Sequence, residues 1–305
     1  MLSDKPFTCP IELLSQSSTA TVMAVVGATD SLTLKSAQLA TNMKLIEPVL
    51  IGDEPLIKQI GEEIEWDLSS TKVVSARNEQ QSAEIATLLA RDGEVEALMK
   101  GNVHTDILMR AVLNRHANLR TDNRLSHAFH MTIPNRPGSL VITDAAINVA
   151  PSVNQRLEIL HNVVAMMHAL GNLKPKIAVL SATETPNQNM PSSVEAEQIV
   201  TKARKEMSGL EIAGPLAFDN ALSTKAARIK GIKSTVAGAA EVLLVPNIET
   251  GNVLFKAMVY LLSATAAGIV LGAKIPIVLT SRADPPEARL ASTALANIVA
   301  KKLLK

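Results

Sequence analysis

The chain has 305 residues, and 30 Lys and Arg against 29 Asp and Glu give a formal net charge of +1. That length admits two domains or one large α/β domain. The near-zero charge argues against a broad nucleic-acid surface or a polybasic membrane patch, since both rely on a summed positive field. Hydrophobic residues make up 47% and aromatics 2%, ample for a core but nearly without the rings on which single-stranded bases stack.

Ala, Val, Ile and Leu supply most of the apolar mass, the material of parallel sheets covered by helices on both faces. The single cysteine, Cys9, excludes an intramolecular disulfide and a multi-thiolate metal site. The opening MLSDKPFTCPIELL carries Asp4 and two prolines and no long apolar run. It does not read as a secretory signal, so a cytoplasmic protein is expected.

Short β-branched runs then alternate with helix-length segments. Strands are expected at Val22–Ala28, Val49–Gly52, Lys72–Ser75, Ala97–Lys100, Ser139–Asp144, Lys176–Ser181, Glu241–Pro246 and Ile275–Thr280, the βαβ signature of a mostly parallel sheet. A helix follows Pro151: Ser152 and Gln155 have capping-box spacing, and Val153, Leu157, Leu160, Val164 and Met167 recur at steps of three or four. Gly171 and Pro175 stop it. A second capping box, Ser192 with Glu195, opens the next helix. The uncharged stretch Ala257–Ala273 reads as a buried helix running into a strand rather than a membrane span, because Gly268, Gly272 and Pro276 interrupt or follow it. A last helix, Pro286 to Lys305, carries Leu290, Ala294, Ile298, Leu303 and Leu304 opposite a polar face. The segment Thr132–Gly138 (TIPNRPG) is the best boundary candidate. The expected organisation is a discontinuous domain of residues 1–135 plus 270–305, with residues 136–269 inserted.

In parallel α/β sheets, ligand groups gather where strands end and helices begin. Four such places carry polar side chains. After Lys100, Gly101 permits a tight turn and Thr105 could cap a helix bearing Arg110; an ordinary turn with a solvated arginine has the same spacing. Asp144 to Asn148 follow a buried strand, where an Asp is often only a turn former. In Pro246–Asn252, Gly251 and Asn252 put backbone N–H groups and an amide at a helix start, with Lys256 one turn on; a plain cap would look alike. Finally Thr280-Ser-Arg-Ala-Asp284 ends the strongest strand with a hydroxyl, a guanidinium and a carboxylate. Arg grips phosphate bidentately, and Ser281 can hydrogen-bond an oxyanion; a surface Arg–Asp pair is the plainer reading.

The histidines give no metal site: His127 and His130 fall on a possible strand, and His161 and His168 share a helical face without acidic or thiol partners at ligand spacing. G-x-G-x-x-G, G-x-x-x-x-G-K-[ST] and G-x-S-x-G are all missing from the sequence, so the nucleotide-binding and serine-hydrolase readings lack their fingerprints.

The segments MKGNVHTDILMR, VITDAAINVAPS, KIAVLSATET, GPLAFDNALSTKAA, STVAGAAEVLLVPNIETGNVLFK and AGIVLGAKIPIVLTSRAD together resemble the phosphotransacylases, the phosphate acetyl/butyryl transferase family. The resemblance runs from about Ala97 onward, and its spacing is closer to the butyryl branch. It implies reversible transfer of a short acyl group between coenzyme A and inorganic phosphate. It also implies two α/β domains similar to the isocitrate/isopropylmalate dehydrogenases, an active site in the cleft between them, and a homodimer formed through the inserted domain. CoA would be a substrate, with no metal and no tightly bound cofactor. By the same resemblance Ser281 and Arg282 match the phosphoryl-binding pair and Arg110 a further phosphate contact, with Thr105 beside it. Asn252, Gly251, Lys256 and Asn148 would face CoA or the acyl group. The position seven after Ser281, a carboxylate in the acetyl enzymes, is Ala288 here, so Asp284 or Glu287 would take the CoA thiol proton, and Asp284 is favoured. Two rivals differ in class: a non-catalytic protein that senses CoA or acyl phosphate, and a metal-dependent hydroxy-acid dehydrogenase. The latter would need clustered aspartates that the sequence does not space suitably.

Overall fold

The computed structural model describes Leu13, residues 19–279 and residues 284–303. The chain divides into two compact units, one running to Asp122 and resuming at Ala267, the other Asn123–Ala266.

In the first unit the chain alternates β1 (Thr21–Val26), α1 (Ser31–Asn42), β2 (Ile46–Gly52), α2 (Glu54–Glu63), β3 (Lys72–Ser75), α3 (Glu79–Arg91), β4 (Ala97–Lys100) and α4 (Thr105–Leu113). The strand order is β3-β2-β1-β4-β11-β10, with β11 at Ile277–Val278 and β10 at Thr265–Leu271. All neighbours are parallel except β10 and β11. Each helix start follows from a local polar residue. Asp30, Asp53 and Asn78 accept hydrogen bonds from first-turn N–H groups of α1, α2 and α3, satisfying donors that the helix leaves unpaired. Strand order reverses between β1 and β4, the place where α/β sheets open a crevice beyond their carboxyl ends.

The last helix of this unit, α10 (Pro286–Leu303), is buried from Ala288 to Ala300 on all sides. The face expected to be polar also lies inside, because its polar groups are satisfied there. Asn297 Nδ2 reaches Thr19 O, Thr21 Oγ1 and Leu45 O, each at 2.8 Å. Ser292 Oγ accepts from Gly268 N–H, and Lys301 holds Glu96, which also accepts from Val22 N–H. This is how buried polar groups are tolerated.

The second unit holds β5 (Ser126–Thr132), β6 (Ser139–Thr143), α5 (Val153–Ala169), β7 (Ile177–Leu180), α6 (Pro191–Glu206), β8 (Ile212–Leu216), α7 (Phe218–Leu222), α8 (Thr224–Ile229), β9 (Val242–Leu244) and α9 (Ile248–Leu262). Its order is β5-β6-β9-β7-β8, parallel except for the β5–β6 pair. That pair makes TIPNRPG the turn of a hairpin inside the unit, so the two units divide ten residues earlier, between Asp122 and Asn123, and again between Ala266 and Ala267.

Capping separates two helices that look alike in sequence. Ser152 and Gln155 form the reciprocal capping box of α5. Ser192 and Glu195 do not form one: α6 starts at Pro191 after Met190, Ser192 Oγ lies against Ser181 Oγ, and Glu195 is drawn to Arg156. Arg156 is completely buried, and an unpaired guanidinium there would be very costly, so the acid serves the ion pair. The stretch Ala257–Ala273 is the end of α9 followed by β10, and no helix among the described residues is long and apolar enough to cross a membrane.

Two histidines on β5 are buried in neutral form. His127 packs its ring on Phe129, which stacks on Phe255, and His130 lies on the opposite face of the strand. Burial pushes both imidazoles down to about 4, with the Asp144 charge opposing this at His127. The unfolded chain therefore takes up protons below about pH 6.5 that the folded chain refuses until about pH 4. Folding stability should fall as pH drops through that window, by on the order of 3 kcal/mol for His130. His130→Gln should flatten this acid limb in denaturant unfolding measured at pH 7, 6, 5 and 4. An unchanged slope would show that the ring is not held neutral.

Candidate active site

Two loop systems lie at the carboxyl ends of the parallel strands, one in each unit.

In the first unit, β1 and β4 end side by side on two glycines. Gly27 has φ +71°, and a Cβ there would lie 2.7 Å from Asn102 O; a Cβ on Gly101 would lie 2.6 Å from Gly27 O. Only hydrogen fits between these loops. Asn102 N–H donates to Gly27 O at 2.7 Å, and its amide reaches Thr29 Oγ1. The next residues start helices. Asp30 is occupied by Thr33, through N–H at 2.8 Å and Oγ1 at 2.6 Å. His104, rather than Thr105, is the residue preceding α4, and its side chain makes no capping bond. It turns instead to Glu79 at the start of α3. Glu79 Oε2 accepts from His104 N–H at 2.7 Å and lies 2.8 Å from Nδ1. These two hydrogen bonds, the backbone one foremost, hold the Glu79 carboxyl below the usual carboxylate range. Thr105 opens α4. Arg110 lies on its exposed side, paired with Asp106 at 3.1 Å.

β11, the parallel neighbour of β4, sends its chain off the same edge of the sheet. Ser281 and Arg282 lie outside the described residues. Asp284 is described, and its backbone carbonyl accepts from Arg289 Nε at 3.2 Å. Arg289 is 6% exposed. Burial lowers its pKa, while the charges of Asp284 and Asp30 oppose that shift. The sequence singled out Arg282 but not Arg289, which sits in an amphipathic-looking helix. The one available signal was an arginine on the core side of that pattern. Ala288 is buried, and Glu287 is partly exposed at the start of α10.

In the second unit, Asp144 organises the loop after β6. Its Oδ1 accepts from the N–H groups of Ala146 and Ile147 at 2.9 and 3.0 Å. Its Oδ2 accepts from the N–H groups of His127 and Asn148 at 3.2 and 3.3 Å and from Asn148 Nδ2 at 2.6 Å. Asn148 Nδ2 also donates to Leu125 O, and its Oδ1 accepts from Arg124 at 2.7 Å. Asn148 is thus fully engaged in holding the loop. Asn247 caps α9 by accepting from Thr250 N–H and Oγ1. Gly251 lies inside the first turn, where a Cβ would come within 2.8 Å of Ala145 and 2.9 Å of Asp144 O. Its missing side chain lets α9 abut the Asp144 loop. Asn252 Nδ2 approaches Ala145 O at 3.5 Å, and Lys256 is exposed one turn on. Gly251→Ala should therefore cost about 1–3 kcal/mol by overpacking. A thermal unfolding midpoint unchanged from wild type would contradict this contact.

Among the described residues, no group of three or more His, Cys, Asp or Glu side chains gathers to hold a metal ion.

This arrangement belongs to a known group. The family described as "Phosphate acetyl/butaryl transferase" matches residues 79–297. A phosphate acetyltransferase of Rhizobium meliloti is 43% identical over 92% of this chain and 89% of its own length. A probable phosphate butyryltransferase of Bacillus subtilis is 39% identical over 90% and 91%. The crystal structure of a branched-chain phosphotransacylase from Enterococcus faecalis superposes with a TM-score of 0.81 at 30% identity, covering 92% of this chain and 99% of that one. The chain belongs to the phosphate acetyl/butyryl transferase family, whose acyltransferases move an acyl group reversibly between coenzyme A and phosphate.

Proposed function

We propose that this protein converts a short-chain acyl-CoA (acetyl, butyryl or branched) and inorganic phosphate into acyl phosphate and CoA, and the reverse, by direct attack in a ternary complex. The observation that carries this reading is the parallel pairing of β4 with β11. It makes β4, which leads towards Thr105, and β11, which precedes Ser281 and Arg282 in the sequence, end at one edge of one sheet. In this reading Ser281, Arg282 and Thr105 hold the phosphate. Arg110, on the solvent side of α4, makes an outer phosphate contact. Relatives at similar identity carry acetyl and butyryl names, so acyl length is left to the assay below.

At neutral pH a free thiol is only a few per cent thiolate. Asp284 takes its proton as sulfur attacks the acyl carbonyl, and Ser281 with backbone N–H groups stabilises the oxyanion, a contribution of roughly 3–4 kcal/mol in comparable sites. Binding both substrates together supplies the proximity advantage, so no acyl-enzyme is required. In the second unit Asn252, Gly251 and Lys256 face CoA or the acyl group, and Asn148 acts by holding the Asp144 loop in shape. CoA enters as a substrate and no tightly bound cofactor is used. A cytoplasmic homodimer completes the reading. The homodimer is supported by exposed apolar surface on α9, where Val253 and Tyr260 share a helix face and are more than half exposed, an arrangement that calls for a partner surface.

Thiol release from C2 to C5 and branched acyl-CoAs in the presence of phosphate tests the reading. Turnover is expected with at least one of them. Arg282→Ala should raise the phosphate KM and lower kcat at least tenfold, and Asp284→Asn should lose turnover while still binding CoA. If no acyl-CoA releases thiol, the protein is a sensor rather than an enzyme. If Glu287→Gln reproduces the expected Asp284→Asn defect instead, the base is misassigned.

A further inference from the structure

The proton that enters with the thiol has to end on phosphate. When CoA attacks a dianionic acyl phosphate, the C–O bond to phosphate breaks, and without a proton the departing group would be PO4³⁻, a very poor leaving group. A side chain near the phosphate can deliver that proton directly to the departing oxygen and recover it in reverse.

The titratable groups at the carboxyl edge of the first unit can be compared one by one. Both oxygens of Asp30 are engaged by Thr33. Asp284 is the group that takes the thiol proton in the reading above, and its backbone carbonyl accepts from the buried Arg289. Glu79 is held as a carboxylate by His104. His104 is different: its ring is 70% exposed, it directly precedes Thr105, and it is fixed from one side only. A carboxylate can only accept, so Glu79 at 2.8 Å selects the Nδ1–H form and leaves Nε2 as the working nitrogen. This is the orienter–base arrangement found where a base must be held in one pose.

We propose that His104, oriented by Glu79, is the acid–base group for the phosphate. This rests on the reading above, in which phosphate sits beside Thr105. In acyl-CoA formation the S–C bond forms and the C–O bond breaks. The thiol proton passes to Asp284, and the Nε2 proton of the imidazolium passes to the departing oxygen, so CoASH and RCO–OPO3²⁻ become RCO–SCoA and HPO4²⁻. Both side chains then return to their starting states through solvent with no net proton change. In the other direction neutral Nε2 takes the proton of HPO4²⁻ as its oxygen attacks the thioester.

The charged groups around His104 are Glu79 on α3, Lys100 at the tip of β4, which acts on Glu79, and Asp106 and Arg110 on α4 itself. Arg115 and His116 lie on the short turn packed at the far end of α4.

The test measures kcat in both directions from pH 5 to 9 for wild type, His104→Gln and Glu79→Gln. In the phosphate-acylating direction wild type should lose rate as pH falls, because the step needs an unprotonated Nε2. His104→Gln should lower kcat at least tenfold in both directions, abolish that limb and leave the CoA KM within twofold. Glu79→Gln, which removes the acceptor that selects the Nδ1–H form, should lower kcat in both directions while leaving the CoA KM within twofold. The proposal is overturned if His104→Gln keeps kcat within twofold, or if it loses rate with the wild-type limb intact, the mark of a merely structural role. Wild type without thiol release would instead overturn the reading on which the proposal rests.

Discussion

A parallel strand covered on both faces spends its backbone groups on its neighbours and its side chains on the core, which leaves polar chemistry only at its ends. Every candidate residue in this protein follows from that restriction. The central strands β1, β4, β9 and β6 are buried almost throughout, and their polar or glycine residues come at or just after the strand ends: Gly27, Lys100 and Gly101, Thr143 and Asp144, and Asn247. How closely the loops can then approach is fixed by small side chains. Gly27 against Gly101 in one unit and Gly251 against Ala145 in the other are contacts that a single methyl group would break. Loop positions are therefore set by packing before any ligand is considered.

The polar residues at these edges divide into those that hold loops and those left to act. Asp144 and Asn148 accept or donate enough hydrogen bonds to be fully committed, and Asn247 is a cap. Asp30 is likewise a cap. By contrast the Glu79–His104 pair joins two helix starts and leaves one face of a ring in water. Such asymmetry is what general acid–base chemistry needs, a group restrained in direction but open to its reactant.

Much of this was legible in the sequence. β-branched runs located β3 and β4 to the residue and the cores of β1, β2, β6, β7, β9 and β11, and the Ser152–Gln155 box located α5. The strands that escaped or were placed only loosely have specific reasons. β8 (IAGPL) contains Gly and Pro, which a central strand would reject; it is an edge strand, where Pro215 needs no ladder partner. β10 (TAAGIVL) is legible only as the strand end of an uncharged stretch, since its small first residues merge with the preceding helix, and β5 (SHAFHMT) only as a possible strand, since two histidines that only burial makes neutral hide its core role. The second capping box failed because spacing cannot reveal that Arg156 is buried nearby and competes for Glu195. At the site, loop positions were readable but partnerships were not. Glu79 and His104 are 25 residues apart, and only the side-by-side placement of α3 and α4 brings them together.

The bond network of Asn297 has a consequence for how the chain is built. Its amide ties the last helix to the start of β1 and to the residue before β2, so the first unit is completed from opposite extremes of the sequence. The second unit is one uninterrupted stretch. During synthesis it has all its strands and helices in hand while the early strands β1 and β2 still wait for their closing helix. The nascent chain therefore carries a finished insert within an unfinished host, and shielding the apolar surface reserved for that helix falls to whatever attends the emerging polypeptide.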